Sequence, residues 1–219
     1  MPKLTLIRHG QANSTAMDEA RYDRLSPLGH QQSRWLGDCF AQTETQFDRL
    51  YCGTLRRHIE TLNGILPHSG ELQVQDTRLN EMAYFTLSQL LYEQQGVVAP
   101  NSSDGFSHHL PQLFEAWANN EIYNAPESFA NFEARVNAAL DDLTSHESSA
   151  LVVTSGGVIS MIMRLTMGLD LATTARACLA IMNSSVHCWR SISNTLTMTQ
   201  FNNVAHLEHS DRRAAQTYI

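Results

Sequence analysis

Short apolar, β-prone runs alternate with helical stretches along most of the chain, and this alternation restricts the fold more than any other feature. Leu4-Thr5-Leu6-Ile7 is one such run, cut off by Gly10. Phe47 to Cys52 is a second, Leu72-Gln73-Val74 a third, and Ala150 to Thr154 the most strand-like of all. Between them, Ser26-Pro27 signals a helix start: a hydroxyl N-cap with proline at the first helical position. Leu28, Trp35, Leu36 and Phe40 then recur at helical spacing, which predicts a helix over about residues 27–42. Gly53-Thr54 opens another, with Leu55, Ile59, Leu62 and Leu66 on one face and Pro67 at its end. A helix over about residues 128–144 carries Phe129, Phe132, Val136, Leu140 and Leu143 on its core face. Ser155-Gly156-Gly157 turns the fourth strand into an apolar helix, Val158 to Met167, stopped by Gly168. Val186 to Ile192 and Leu196 to Phe201 read as a closing hairpin around Ser193-Asn194. Strands alternating with helices imply an α/β fold of three layers, a mostly parallel sheet with helices on both faces.

Residues 80 to about 126 break the rhythm. They hold polar, glycine-bearing loops such as Pro100 to Gly105 and aromatic helical pieces such as Leu113-Phe114-Trp117. This is the pattern of a partly helical lid, inserted at about residues 82–126 of one domain spanning 1–219, a length that fits one core better than two. Gln11 to Arg24 is polar and irregular, and the polar end from Glu208 reads as a tail. A net charge of −7 argues against nucleic-acid and membrane-surface partners, whose footprint is basic. Cys39, Cys52, Cys178 and Cys188 show no Cys-x-x-Cys spacing and read as reduced, buried thiols. No run has the length of a signal peptide or a membrane span, so the expected compartment is the cytoplasm.

Three strand ends are chemically loaded. The first carries Arg8 and His9; the second leads through Gly53 to Arg56, Arg57, His58 and Glu60-Thr61; the last leads into Thr154-Ser155-Gly156-Gly157. Glu81 follows the strand near Val74. In open α/β sheets, ligands bind just outside the carboxyl ends of strands. An always-charged guanidinium beside an imidazole there suits an anionic ligand and nucleophilic or acid–base chemistry. The plainer reading of Arg8-His9 is a surface arginine next to a core histidine.

The ordered set of motifs resembles the histidine phosphatase superfamily, with its phosphoglycerate-mutase-like fold. Arg8-His9-Gly10 after a first strand resembles the signature of that family, and Leu25 to Gln31 its first-helix segment. Arg57 with Glu60-Thr61 is similar to the second arginine motif, and Leu79-Asn80-Glu81 to the acid motif. Glu127-Ser128 with Arg135-Val136, Asn183-Ser184-Ser185 and Asn202 to Leu207 resemble further family segments.

The resemblance implies phosphoryl transfer through a phosphohistidine. His9 would attack phosphorus, Arg8 and Arg57 would hold the phosphoryl oxygens, and Glu81 would protonate the leaving oxygen. The Gly156 and Gly157 amides at a helix start would favour the anion. With arginines supplying charge, neither metal nor other cofactor is expected, and the partner is a small phosphorylated substrate or phosphate ion. His58, His68, His146 and His209 are assigned to surface or structural roles. Tyr84, Phe85, Phe106, His108, His109 and Trp117 are candidates for setting the substrate. Gln11-Ala12-Asn13 lacks the glutamate-rich continuation of typical mutases.

One departure stands out. Where the family carries a second catalytic histidine, this chain has Ser155. Serine gives one neutral hydrogen bond and cannot carry charge. Three readings are open: a substitution that traps a complex, a slow or specialised phosphatase, or a phosphate-binding pseudoenzyme with a regulatory or scaffolding role. Restoring histidine at 155 is expected to raise turnover provided the neighbouring packing admits an imidazole.

Overall fold

The structure is a computed structural model that describes residues 3–67, 72–100 and 103–218. Six strands, β1 (Lys3–Arg8), β2 (Arg49–Cys52), β3 (Gln73–Gln75), β4 (Ala150–Thr154), β5 (Val186–Ile192) and β6 (Thr195–Asn203), form a sheet in the order β3-β2-β4-β1-β5-β6. The first four run parallel, while β5 and β6 form the expected hairpin and lie antiparallel to the rest. Among the described residues, eight helices surround the sheet: α1 (Glu19–Tyr22), α2 (Pro27–Gln42), α3 (Arg56–Ile65), α4 (Tyr84–Gln95), α5 (Ser103–Ala118), α6 (Phe129–Thr144), α7 (Gly156–Met167) and α8 (Leu171–Ala180).

The alternation of side chains along each strand divides the core in two. Leu4, Leu6 and Val152 face a cluster that includes Leu87, Leu113, Phe114, Trp117, Phe132, Val136 and Ile159, drawn from α4 to α7. Ile7, Leu151 and Val153 face the other way, onto Leu36 of α2 and Leu62 and Ile65 of α3. Helices therefore cover both faces of a mostly parallel sheet, the three-layer α/β architecture expected. The helices of the 82–126 stretch bury Leu87, Leu91, Leu110, Leu113, Phe114 and Trp117 in the same cluster as β1.

Several local expectations are corrected. The buried face of α3 is Arg57, His58, Thr61, Leu62 and Ile65, about a quarter turn from the face read from its leucines. α7 begins at Gly156, and β3 sits one residue later than expected. The end of the chain is docked: Gln32 Nε2 donates to the Ala215 carbonyl (2.7 Å), and Asn183 N–H to the Thr217 carbonyl (2.8 Å). Of the four unpaired cysteines only Cys52 is fully buried. Residues 101 and 102 of the expected Pro100–Gly105 loop lie outside the described residues; α5 already begins at Ser103. No helix among the described residues is long and apolar enough to cross a membrane.

Candidate active site

Strand register sets the site. Arg8 lies level with Thr154, and Val153 with Cys52, so His9, Ser155 and Gly53 emerge side by side at one end of three adjacent parallel strands. His9 N–H donates to the Thr154 carbonyl (2.9 Å) and Gly53 N–H to the Val153 carbonyl (3.1 Å), which extends the ladder to the site's floor. Gly10 permits the next turn: a Cβ there would fall 2.5 Å from the Gly29 carbonyl oxygen of α2. Its N–H donates to Thr61 Oγ1 (3.0 Å), whose hydroxyl donates to the Arg57 carbonyl (2.7 Å). Thr61 thus fastens the first motif to the second.

His9 is nearly inaccessible, at 2 % exposure. Its Nδ1 lies 2.7 Å from the Gly10 carbonyl oxygen, which can only accept. Nδ1 therefore carries the proton, and Nε2 presents a bare lone pair. Burial first, then the charges of Arg57 and Arg8 and the neighbouring His58, hold the ring well below the ordinary imidazole value. It is neutral at pH 7, the form in which nitrogen is nucleophilic. Backbone contacts fix its position from behind, with Ser184 N–H (3.2 Å) and Asn183 Nδ2 (3.4 Å) both donating to the His9 carbonyl.

Both arginines are buried. Arg8 Nη1 donates to the Ile181 carbonyl, while Arg8 Nε and Arg57 Nε have no hydrogen-bond partner among the described residues. Buried guanidinium N–H groups left unpaired are costly, and an anion would satisfy them. Arg57 Nη1 donates to Asp23 Oδ1 (3.1 Å), and its guanidinium lies 5.1 Å from the Tyr22 ring centroid. Asp23 also accepts from the backbone N–H of Arg56 (3.0 Å) and Arg57 (3.2 Å), covering the first turn of α3. Arg56 points outward and pairs with Glu60.

Glu81 is held by its own surroundings. Its carboxyl group accepts from Gly157 N–H (2.9 Å) at the start of α7 and from Met82 N–H (3.1 Å), so the Gly157 amide, expected to face the anion, is taken up by Glu81 instead. A Cβ on Gly157 would fall 2.1 Å from Glu81 Oε1, so the close approach requires glycine. The loop beneath is tied on three sides. Asn80 Oδ1 accepts from Thr54 N–H (2.8 Å), Thr154 Oγ1 donates to the Leu79 carbonyl (2.6 Å), and Arg135 Nη1 donates to the carbonyls of Arg78 (2.8 Å) and Asn80 (2.7 Å) while its fork grips Glu127. Gly156 opens α7, where a Cβ would lie 3.8 Å from Arg8 Nε.

The six residues named from the sequence, Arg8, His9, Arg57, Glu81, Ser155 and Gly156, thus share one end of the sheet. Ser155 is fully buried, and its Oγ lies 2.6 Å from His58 Nε2 and 3.5 Å from Arg57 Nη2. An imidazole already fills the space beside Ser155, and its ring centroid stands 5.7 Å from that of His9. The packing therefore does not admit a second imidazole at 155. Sequence reasoning missed His58, Asp23 and Tyr22; the spacing His58-Thr61-Leu62-Ile65 is a helical i, i+3, i+4, i+7 stripe that could have found the first. From His9, rings run outward through Tyr22, Phe85, Tyr84 and Phe106. His109 is buried against Tyr84, His108 is exposed, Trp117 packs in the core on Phe129 and Phe132, and His68 lies outside the described residues.

A fold of this order, with two buried arginines beside a strand-end histidine, is that of an α/β protein built to hold an anion at the carboxyl end of its sheet. The sequence pattern of the histidine phosphatase superfamily (branch 1) matches residues 4–204, and the chain belongs to that family. It is 30% identical over 180 residues to a protein of Hydrogenobacter thermophilus named "Putative phosphoserine phosphatase 2", covering 78% of this chain and 81% of that one. A phosphoserine phosphatase mutant from Entamoeba histolytica, crystallised with phosphoserine, superposes with a TM-score of 0.69 at 18% identity, over 94% of this chain and 100% of that one. A phosphoglycerate mutase from Bacillus anthracis gives a TM-score of 0.66 at 18% identity, over 93% and 94% of the two chains. These two structural likenesses show the shared phosphoglycerate-mutase-like fold.

Proposed function

We propose that the protein hydrolyses small phosphomonoesters through a phosphohistidine on His9, with charge supplied by arginines and not by a metal. The observation that carries this reading is His9 itself, neutral, buried between two arginines and presenting Nε2 because Nδ1 is committed to the Gly10 carbonyl. Nε2 attacks phosphorus as the ester P–O bond breaks, and Glu81, entering the cycle as the neutral acid, delivers its proton to the leaving oxygen. Water then attacks the phosphohistidine, Glu81 takes the water's proton, and phosphate leaves. Arg8 and Arg57, together with the Gly156 amide, stabilise charge on the transferring group in a site where burial strengthens each contact. Relatives named for phosphoserine and phosphoglycerate make those esters the first substrates to try. The line of rings from Tyr22 to Phe106 supports an apolar or aromatic wall beside the ester.

The test is mass spectrometry under conditions that preserve an acid-labile phosphoprotein, after brief mixing with phosphoserine, 3-phosphoglycerate and an aryl phosphate. Label on His9 is expected, and His9→Ala abolishes both label and turnover. Undiminished hydrolysis by purified His9→Ala would rule the mechanism out. The second reading, a phosphate-binding regulatory or scaffolding protein, rests on Ser155 and predicts phosphate binding with neither label nor turnover.

A further inference from the structure

One buried titratable group at the site has no part in the steps just given. His58 is fully buried, its Nε2 is 2.6 Å from Ser155 Oγ, and its ring centroid is 5.7 Å from that of His9. Room for the ring is made by a neighbour: a Cβ on Gly53 would fall 2.2 Å from His58 Nδ1 and 2.7 Å from Asn80 Oδ1. Gly53 does not have the positive φ that would call for glycine on conformational grounds. Its missing side chain serves the imidazole.

The protonation pattern follows from the contacts. Burial, then the charge of Arg57, hold His58 well below the ordinary imidazole value, so one nitrogen bears hydrogen and the other is bare. Nδ1 has no hydrogen-bond partner among the described residues. A buried N–H without an acceptor is rarer than an unmatched acceptor, which puts the proton on Nε2, donating to Ser155 Oγ. Arg57 Nη2 donates to the same oxygen at 3.5 Å. With two donors on its oxygen, the serine hydroxyl can serve only as a donor itself, turned away from both. A lone serine hydroxyl rotates among three staggered positions; this one is fixed before any ligand arrives, which is what transition-state stabilisation requires.

We infer that His58 is a positioning residue, and that it forms with Ser155 one hydrogen-bonded unit that aims the serine hydroxyl at the phosphoryl group on His9. The inference rests on the phosphohistidine reading and adds to it a donor that Ser155 alone would supply poorly.

A double-mutant cycle tests it. His58→Ala and Ser155→Ala should each lower kcat on an aryl phosphate by about 10²-fold with little change in KM, the low end of the range lost with one such donor. Because the two act as one unit, the double variant should be no slower than the worse single variant. His58→Gln, which keeps an N–H near the Nε2 position, should recover most of the loss and His58→Leu, of similar bulk without a donor, should not; a merely space-filling role would let both recover it. The cycle is also read as the dissociation constant for orthovanadate by calorimetry, which needs no turnover; there too each single change should weaken binding and the double change no further. Losses that multiply, or His58→Ala with unchanged kcat and vanadate affinity, would overturn the unit. Should His58→Ala not fold, His58→Leu, which fills the ring's space without a donor, takes its place in the cycle with Ser155→Ala, and multiplying losses there overturn the unit equally. Failure of the phosphohistidine reading looks different: wild-type protein would carry no label on His9 while the vanadate cycle still reports on the pair.

Discussion

Arg56 and Arg57 are neighbours in sequence and opposites in the fold, since the first side chain is 68% exposed and the second 5%. Arg57→Ala should weaken vanadate binding by about 1.5–3 kcal/mol, the usual worth of a hydrogen bond to a charged group, and Arg56→Ala should do little. Calorimetric titration of both variants checks the order. Gly157→Ala pushes only the tip of Glu81 aside, so the fold should survive while the acid is misplaced. Turnover of an alkyl phosphate, whose leaving oxygen needs a proton, should fall by about 10²-fold, and that of an aryl phosphate with a good leaving group much less. Equal losses on both esters would show that Glu81 is not the acid. Ser155→His alone should lose stability, because the new ring collides with His58; His58→Ala combined with Ser155→His relieves the collision and should melt closer to wild type. Arg8, His9 and Arg57 were legible in sequence through the ordered motifs that resemble the family, since Arg8-His9 alone reads as plainly as a surface arginine beside a core histidine. His58 was passed over because the face of α3 was read from its leucines; the stripe it forms with Thr61, Leu62 and Ile65 marks it as facing inward, but only the fold shows that it meets Ser155.

At the scale of elements, α3 shows what apolar spacing leaves out. Its leucines suggested one face, but the face that docks carries Arg57, His58 and Thr61, which are held by hydrogen bonds to Asp23, Ser155 and Gly10. Polar side chains that pay their burial in specific bonds are invisible to a reading by hydrophobicity. The start of α3 depends on Asp23, which stands outside the helix and accepts two of its first N–H groups. Asp23→Ala should cost about 1–2 kcal/mol of stability, the range for a lost helix cap plus its ion pair, and should also loosen Arg57. A lower urea midpoint at unchanged m-value, with weaker vanadate binding, is the expected result. By contrast α2, α6 and β4 were readable nearly to the residue, since a serine cap or a glycine marks their ends, with one apolar stripe on each helix and an unbroken apolar run on the strand. The chain end was misread for the same reason as α3: Gln32, Asn183 and Thr217 hold it with polar bonds.

Across the whole molecule, burial of neutral imidazoles ties stability to pH. His187 is pushed down to about 3 and His206 to about 4, chiefly by burial, and His9, His58 and His109 are lowered in the same direction. Below about pH 6.5 the unfolded chain takes up protons that the native rings refuse, so stability is lost as pH falls, by up to about 1.4 kcal/mol per pH unit for each such ring. Urea midpoints measured from pH 7.5 to 5.5 should begin to drop near 6.5; a flat profile would contradict the buried, neutral assignment. The alternation of strands and helices made the three layers legible, but not that β4 lies between β1 and β2, which only the assembled sheet reveals. That order has a consequence for how the protein comes into being. The two neighbours of β1 are β4 and β5, which begin at Ala150 and Val186. As the chain leaves the ribosome, the strand bearing the signature motif has both edges unpaired until most of the sequence has been made. Contacts so distant in sequence are slow to form, and an unsatisfied strand edge is open to pairing with other chains in the interval. The motif on β1 thus reaches its working shape only after β4 and β5 have been made, and a polypeptide halted before Ala150 lacks both strands that would flank it.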